Sequence, residues 1–167
     1  MRRMIVGSTL LAVCLIASIQ AADAPPDTVA AKITRETKLK ANICVDSTEG
    51  SGMMLREILA EITASVRDAK VNGKKVGAVR IKPDPKAGIT LTTRIKFKST
   101  DEALDVVLDK MFEASGRPWG YYVNVSTKKD DQDDGAIIIV NDATCRGYPP
   151  GDARNKKSGD KKDKKDK

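Results

Sequence analysis

The 167-residue sequence contains no histidine. Histidine is the side chain most often used as a general base and as a metal ligand near neutral pH, so its absence argues against many classes of enzyme and metal site. Cys44 and Cys145 have no imidazole to activate them, which excludes a Cys–His nucleophile. The glycines do not have the spacing of a phosphate loop or a dinucleotide fingerprint. The sequence therefore predicts a non-enzymatic protein with no cofactor and no small-molecule substrate.

Two clusters of carboxylates remain as candidates for chemistry. Asp101, Glu102 and Asp105 lie at the start of a predicted helix, where acidic side chains interact favourably with the helix dipole. That role explains them better than catalysis does. The segment from Asp130 to Asp134 offers several oxygen ligands for calcium. It lacks the glycine and the closing glutamate of an EF-hand loop, which favours a solvated hairpin tip and leaves calcium binding open.

Long hydrophobic runs are also scarce, and the longest lies at the N-terminus. Arg2 and Arg3 precede an apolar run from Met4 to Ile19, and small residues follow it. The run is shorter than the roughly 20 apolar residues that span a bilayer. This arrangement is typical of a secretory signal peptide, here residues 1–22, which is removed near its end. We therefore expect an exported protein that is periplasmic or secreted.

The formal net charge of +7 comes mainly from the two ends of the chain. Residues 149–167 have many charged side chains and no large apolar residue, so we predict a disordered tail. The body of the chain is nearly balanced in charge, and the total charge therefore gives no support for nucleic-acid binding. The candidates for contact with an anionic surface are six lysines of the tail: Lys156, Lys157, Lys161, Lys162, Lys164 and Lys165.

Residues 23–37 show no hydrophobic period and are predicted to be a linker into a domain that spans residues 38–148. Alternate residues are apolar from Lys38 to Val45, which predicts a strand. Apolar residues then recur at helical spacing from Met54 to about Lys70, which predicts the first helix. A short strand between Val76 and Ile81 is predicted next.

The segment from Gly88 to Val125 changes its hydrophobic period twice. Residues alternate in polarity from Ile89 to Phe97, as in a half-buried strand. Ser99 and Glu102 have the spacing of a capping box, so a helix is predicted to begin there. Its apolar stripe continues to Gly116, and glycine can take the left-handed conformation that ends a helix.

Two further strands are predicted after this helix. One contains Tyr121 and Val123, and the other is the continuous apolar run from Ala136 to Val140, which is too short for a helix. The charged segment from Ser126 to Gly135 between them reads as a long hairpin loop. The order is then β-α-β-β-α-β-β, with two helices packed on about five short strands. The sequence predicts a single small domain of the α+β class.

This pattern resembles the short N-terminal domain shared by secretins and TonB-dependent receptors. The family typically has a leucine-rich first helix, a Val-Thr-Leu strand, an Ala-Leu-Asp-x-x-Leu helix, a Gly-Leu-x-Tyr strand and a final Ile-x-Ile strand. The resemblance covers roughly residues 38–141. The matching segments are LREILAEI (55–62), GITLTTRIKFKSTDEALDVVLDKM (88–111), WGYYV (119–123) and GAIIIVN (135–141).

The resemblance implies a protein-binding or assembly module of the bacterial cell envelope without catalytic activity. In such a domain an exposed strand edge can take up an extended segment of a protein partner, because its backbone groups are unpaired. Trp119 and Tyr122 are candidate contacts for that partner. Tyr122 is the better candidate, since the parity of the strand places it on the face opposite to Tyr121 and Trp119.

A second interpretation places the function in the tail. Its lysines would bind an anionic envelope polymer or a lipid surface, and the domain would serve as a spacer. Such binding would weaken steeply as salt is raised, since exposed charges are screened within about 8 Å at physiological ionic strength. A flexible solubilising end explains the same residues equally well.

The cysteines that follow the signal peptide are even in number, as in many exported chains with disulfides. A bridge between Cys44 and Cys145 would tie the two ends of the domain together. Closing a loop of about 100 residues contributes at most roughly 4.7 kcal/mol if the effect is treated as chain entropy. We therefore predict a Cys44–Cys145 disulfide, and two separate buried thiols are the alternative.

Overall fold

The computed structural model describes residues 26–128 and 130–155. This part of the chain forms three α-helices and ten short strands, which confirms the predicted α+β class. The helices are α1 (Val29–Glu36), α2 (Leu55–Asp68) and α3 (Leu104–Ser115). The strands are β1 (Asn42–Asp46), β2 (Met53–Met54), β3 (Lys70–Val71), β4 (Lys74–Lys75), β5 (Ile81–Pro83), β6 (Arg94–Ile95), β7 (Lys98–Ala103), β8 (Gly120–Val123), β9 (Ile137–Val140) and β10 (Arg146–Gly147).

The largest sheet has four strands in the order β10–β8–β9–β5. β8 and β9 are antiparallel, with Tyr121 opposite Ile139, and they form the predicted hairpin. β5 pairs with β9 and β10 pairs with β8, both in parallel orientation. Every residue of β9 is buried, as expected for a continuous apolar strand covered on both faces.

The main core includes apolar side chains from this sheet, from α2 and α3, and from the two-stranded ladder of β1 and β7. Both helices bury the apolar stripes that the sequence predicts, and each buried leucine or isoleucine stabilises the fold by about 1.5–3 kcal/mol relative to an exposed one. α3 ends at Gly116, whose φ of 63° is the left-handed conformation expected there. The buried residues of the helices are Leu55, Ile58, Leu59, Ile62 and Val66 in α2, and Leu104, Val107, Leu108, Met111 and Phe112 in α3.

Helix α1 lies within residues 23–37, which the sequence led us to interpret as a linker. That interpretation is wrong for Val29–Glu36. The Thr28 side chain caps the helix by accepting a hydrogen bond from the Ala31 amide at 3.2 Å. Ala31 and Thr34 are fully buried, and the Thr34 hydroxyl donates to the Gly135 carbonyl at 2.8 Å. Two inward positions are too few to produce a recognisable hydrophobic period.

The start of the predicted tail is also part of the fold. Asn155 is 7% exposed, and its side-chain amide donates to the carbonyls of Tyr148 and Pro149 at 3.1 and 2.8 Å. The ordered domain therefore continues from residue 148 to residue 155, and the prediction of disorder is wrong for that segment. The composition misled the prediction because polar contacts of Asn155 and Arg154, rather than buried apolar residues, hold this segment in place.

One arginine links the two ends of the domain. The Arg35 side chain in α1 is 9% exposed and forms an ion pair with Asp27. Its Nε donates to the Gly147 carbonyl at 3.0 Å and its Nη2 donates to the Val123 carbonyl at 3.1 Å. The guanidinium carbon also lies 4.6 Å from the centre of the Tyr148 ring. A rigid five-donor guanidinium suits this position, because it can serve strand carbonyls, a carboxylate and an aromatic ring together.

The strand predicted from Ile89 to Phe97 is mostly absent. Only Arg94–Ile95 is a strand, and it pairs with β2. Leu91, expected to face the core, is 42% exposed, while Ile95 and Phe97 are buried. The strand predicted between Val76 and Ile81 likewise begins only at Ile81.

The predicted capping box at Ser99 and Glu102 does not begin a helix. Residues 98–103 continue as β7, and α3 starts at Leu104. The Ser99 hydroxyl contacts the Glu102 carboxylate, which also accepts from Lys110 Nζ at 2.6 Å. The Lys110 and Ser99 bonds hold the pKa of Glu102 below its usual range. Pairing with β1 holds this stretch as a strand, and it overrides the local capping signal.

Candidate functional site

The structure separates the two predicted aromatic contacts. Trp119 is 5% exposed and packs edge-on against Phe112, with ring centres 6.4 Å apart, so the prediction that it contacts a partner is wrong. Tyr122 is half-buried and packs with Ile138 on the face of the large sheet that is turned away from the main core. Burial raises the pKa of the Tyr122 hydroxyl. A partner contact at Tyr122 remains a prediction.

Cys44 and Cys145 are both free thiols, so the predicted disulfide is wrong in this structure. Cys44 is exposed, because it alternates with the buried residues Ile43 and Val45 along β1. Cys145 is fully buried in a separate apolar cluster on the far face of the large sheet. The main core thus lies between the faces that carry the two thiols. The sequence placed both cysteines near strand ends but could not assign them to faces of different sheets.

The two thiols should differ sharply in reactivity. Burial, with the nearby Asp142 carboxylate, raises the pKa of the Cys145 thiol to about 11. At pH 8 roughly 0.1% of such a thiol is thiolate, which is the reactive form. We expect a maleimide to modify Cys44 quickly in the folded protein and Cys145 only after denaturation. Cys44→Ser should remove the fast reaction. If the denatured protein shows no free thiol until a reductant is added, the predicted Cys44–Cys145 disulfide is present after all.

Asp133 and Asp134, two of the aspartates considered for calcium, are engaged with other parts of the protein. Arg80 and Lys82 both pair with Asp133, with Lys82 the larger cause of a lowered Asp133 pKa. Asp134 accepts from the Thr28 hydroxyl at 2.7 Å and from the Ser126 amide at 3.1 Å. In the described ranges no group of three or more acidic, cysteine or histidine side chains is placed to hold a metal ion. These contacts fasten the hairpin loop to α1 and β5.

The signal peptide and the six tail lysines, from Lys156 to Lys165, lie outside the described residues. Among the helices of residues 26–155, leaving out residue 129, none is long and apolar enough to cross a membrane.

A groove of about 300 Å³ runs beside α3 and β10. Two ion pairs lie along the groove. Lys40 Nζ pairs with Asp105, and Arg146 Nε lies 2.8 Å from Asp109 Oδ1. Asp105 is one of the three carboxylates first weighed as acid–base candidates, and it serves here as an ion-pair partner. Burial, and secondarily the two aspartates, raise the pKa of the Tyr121 hydroxyl that also lines the groove.

Both outer strands of the large sheet are less suited to pairing with a further strand. At β10 Arg146 faces outward, and its amide donates to Asn155 Oδ1 at 2.9 Å. At β5 the outward-facing residues are Ile81 and Pro83, and Pro83 has no N–H to offer. Side-chain caps and prolines of this kind block edge pairing.

The outer edge of β1 is open. β1 is antiparallel to β7, and the Ala41 carbonyl and Ser47 amide bond to that strand at 3.0 Å each. Odd-numbered residues therefore face β7, and the amides and carbonyls of Asn42, Cys44 and Asp46 face away from it. Within the described part of the chain, no other strand pairs with β1 and no group bonds these outward backbone atoms. Their side chains are exposed as well.

The opposite edge of this ladder, in β7, is less suited to pairing. The register shifts between Ile43 and Val45, so that Thr100 and Asp101 together face Cys44. Asp101 has a φ of 52°, in the left-handed region, and its amide donates to Cys44 Sγ at 3.2 Å. A bulge of this kind bends and twists an edge. β1 contains no bulge residue, no proline and no lysine, and it offers five continuous residues.

The sequence analysis did not name the outward residues of β1 as a site. The signal was present, because the alternation that put Ile43 and Val45 in the core also put Asn42, Cys44 and Asp46 outside. It could not show which strand edges other elements would cover. Comparison of the chain with protein-family models, with curated proteins and with solved structures finds no match in any of the three.

Proposed function

We propose that this chain is an exported, non-enzymatic interaction or assembly module of the bacterial cell envelope, and that its site is the open edge of β1. The observation that carries the proposal is the row of outward backbone groups on Asn42, Cys44 and Asp46, which have no partner within the described residues. The resemblance to the short domain of secretins and TonB-dependent receptors supports the envelope and assembly part of it.

An extended segment laid against β1 would complete the ladder on its second side. Three outward amides could each donate one bond and three outward carbonyls could each accept one, and a net hydrogen bond contributes about 0.5–1.5 kcal/mol. Affinity would come mainly from the backbone, whereas the exposed side chains of Asn42, Cys44 and Asp46 would select the sequence of the segment.

Asn42→Pro is the variant that tests this site. Asn42 is the first residue of β1, where proline is tolerated, and Ala41 has φ −70° and ψ 126°, which suits the residue before a proline. The substitution removes one outward N–H and leaves the bonds to β7 in place. We expect the immobilised mature chain with Asn42→Pro to bind no partner protein from an envelope extract. The chain with Asn42→Ala should still bind it. Capture that is equal for both variants would contradict the site.

The alternative function of the tail lysines is separated by a second variant. Deletion of residues 156–167 leaves Asn155 and its bond to the edge of β10 intact. If the tail were the binding element, this deletion would abolish envelope association and Asn42→Pro would not. The proposal for β1 predicts the reverse.

A further inference from the structure

β1 is nearly palindromic in residue type. It reads Asn42-Ile43-Cys44-Val45-Asp46, so that a β-branched residue and then an Asn or Asp lie on each side of a central cysteine. Two identical strands that pair antiparallel about a two-fold axis bring residue i opposite its counterpart on the other side of the centre. The β1 sequence is therefore complementary to itself when the axis passes at Cys44.

The outward backbone groups fit the same axis. Cys44 presents its N–H and C=O to the open edge, so two copies can exchange both bonds between their Cys44 residues. Asn42 of each copy then meets Asp46 of the other and exchanges two more bonds. With two bonds at the axis and two on each side of it, the strands are joined by six backbone hydrogen bonds.

The side chains also agree with this register. Asn42 can donate from its amide to the Asp46 carboxylate of the other copy. Asp46 is ionised and held in place, because Lys98 Nζ lies 2.8 Å from it and the Thr48 hydroxyl donates to it at 2.6 Å. The two Asp46 residues lie four positions apart across the interface, about 13 Å at the rise of a strand, so like charges do not meet.

We propose that the segment seated on the β1 edge is β1 of a second copy of this chain. The result is a two-fold symmetric homodimer with one four-stranded sheet in the order β7–β1–β1–β7. This inference rests on the proposed function only in using the same edge, and it names the occupant. One short strand from each copy makes a small interface, so the dimer is expected to dissociate on dilution.

Sedimentation equilibrium of the mature chain over a wide concentration range tests the inference. We expect a reversible monomer–dimer equilibrium that Asn42→Pro abolishes. Asn42→Asp sets two carboxylates opposite each other on both sides of the axis and should raise the dissociation constant about tenfold. The double variant Asn42→Asp, Asp46→Asn restores an Asn–Asp pair at each position and should recover the affinity. No such recovery is expected if the edge binds a different protein.

A second measurement uses the cysteine at the axis. In the dimer the two Cys44 thiols are adjacent, so a short bifunctional thiol reagent should join two chains, and Cys44→Ser should prevent it. A chain that stays monomeric at millimolar concentration and is not cross-linked overturns the homodimer. If the chain instead binds a different envelope protein, and Asn42→Pro abolishes that binding, the proposed function stands and only the inference fails. If nothing depends on Asn42→Pro, both fail.

Discussion

Replacing Arg35 with alanine is expected to lower the free energy of unfolding by about 3–5 kcal/mol, the loss typical of removing one partner from a buried ion pair. The substitution removes the Arg35 bonds to the carbonyls of Gly147 and Val123 and one of the two guanidinium groups that lie over the Tyr148 ring. α1 and the C-terminal segment should loosen together, because Arg35 contacts both. Equilibrium urea denaturation, with the slope compared between variants, measures the change.

Two further variants show whether the geometry of the guanidinium matters. Arg35→Lys keeps the charge but cannot serve two carbonyls and Asp27 at once, so most of the loss should remain. Arg67→Ala is the matched control, since the Arg67 side chain is 62% exposed and pairs with an exposed Asp68. Its effect should stay within about 0.5 kcal/mol. Similar losses for Arg35→Ala and Arg67→Ala would show that Arg35 does not link the two ends.

Gly120→Ala should destabilise the protein by about 3 kcal/mol, at the upper end of the cost of overpacking. A Cβ at this position would lie 2.1 Å from the Asp142 carbonyl oxygen and 2.7 Å from the Cys145 carbonyl oxygen. Both are backbone atoms and cannot rotate away. The turn before β10 would have to move, and the bond from the Tyr121 amide to the Cys145 carbonyl would be lost with it.

Gly88→Ala is the control for this prediction. Gly88 has a φ of 63°, but no atom lies within 4 Å of an added Cβ. Gly88→Ala should therefore lower the free energy of unfolding only by the cost of the left-handed conformation, about 1–2 kcal/mol. In Gly120→Ala, Cys145 should also become reactive towards a maleimide without denaturant, because its surroundings open. A Gly120→Ala protein as stable as Gly88→Ala, with Cys145 still protected, would contradict the close approach.

Local features of the sequence predicted the elements whose burial repeats along the chain. α2 and α3 follow from their apolar stripes, and the end of α3 follows from Gly116. The hairpin of β8 and β9 follows from two apolar runs around a charged loop. In each case neighbouring residues carry the signal, because helical and strand periods are local properties. The α+β class follows from these elements alone.

The errors have a common physical cause, which is that the stabilising contact comes from a distant part of the chain. Ser99 and Glu102 have the spacing of a helix cap, yet pairing with β1 makes that stretch a strand. The sequence around Asn155 has the composition of a disordered tail, yet the Asn155 side chain forms hydrogen bonds with the backbone of Arg146 and Tyr148. The free cysteines belong here too, since the face that each one occupies depends on how the two sheets pack.

The sequence by itself determined the fold class, the two long helices and the inward residues of β1, because each rests on a repeating pattern of apolar residues. Only the tertiary structure decided that α1 is a helix, since Thr34 and Arg35 find their partners more than 100 residues away in Gly135 and Gly147. It also decided which strand edges are open. Asn155 bonds the outward amide of β10, while within the described residues nothing reaches the outer edge of β1. Backbone groups are alike in every strand, so which of them stay free depends on what packs beside them.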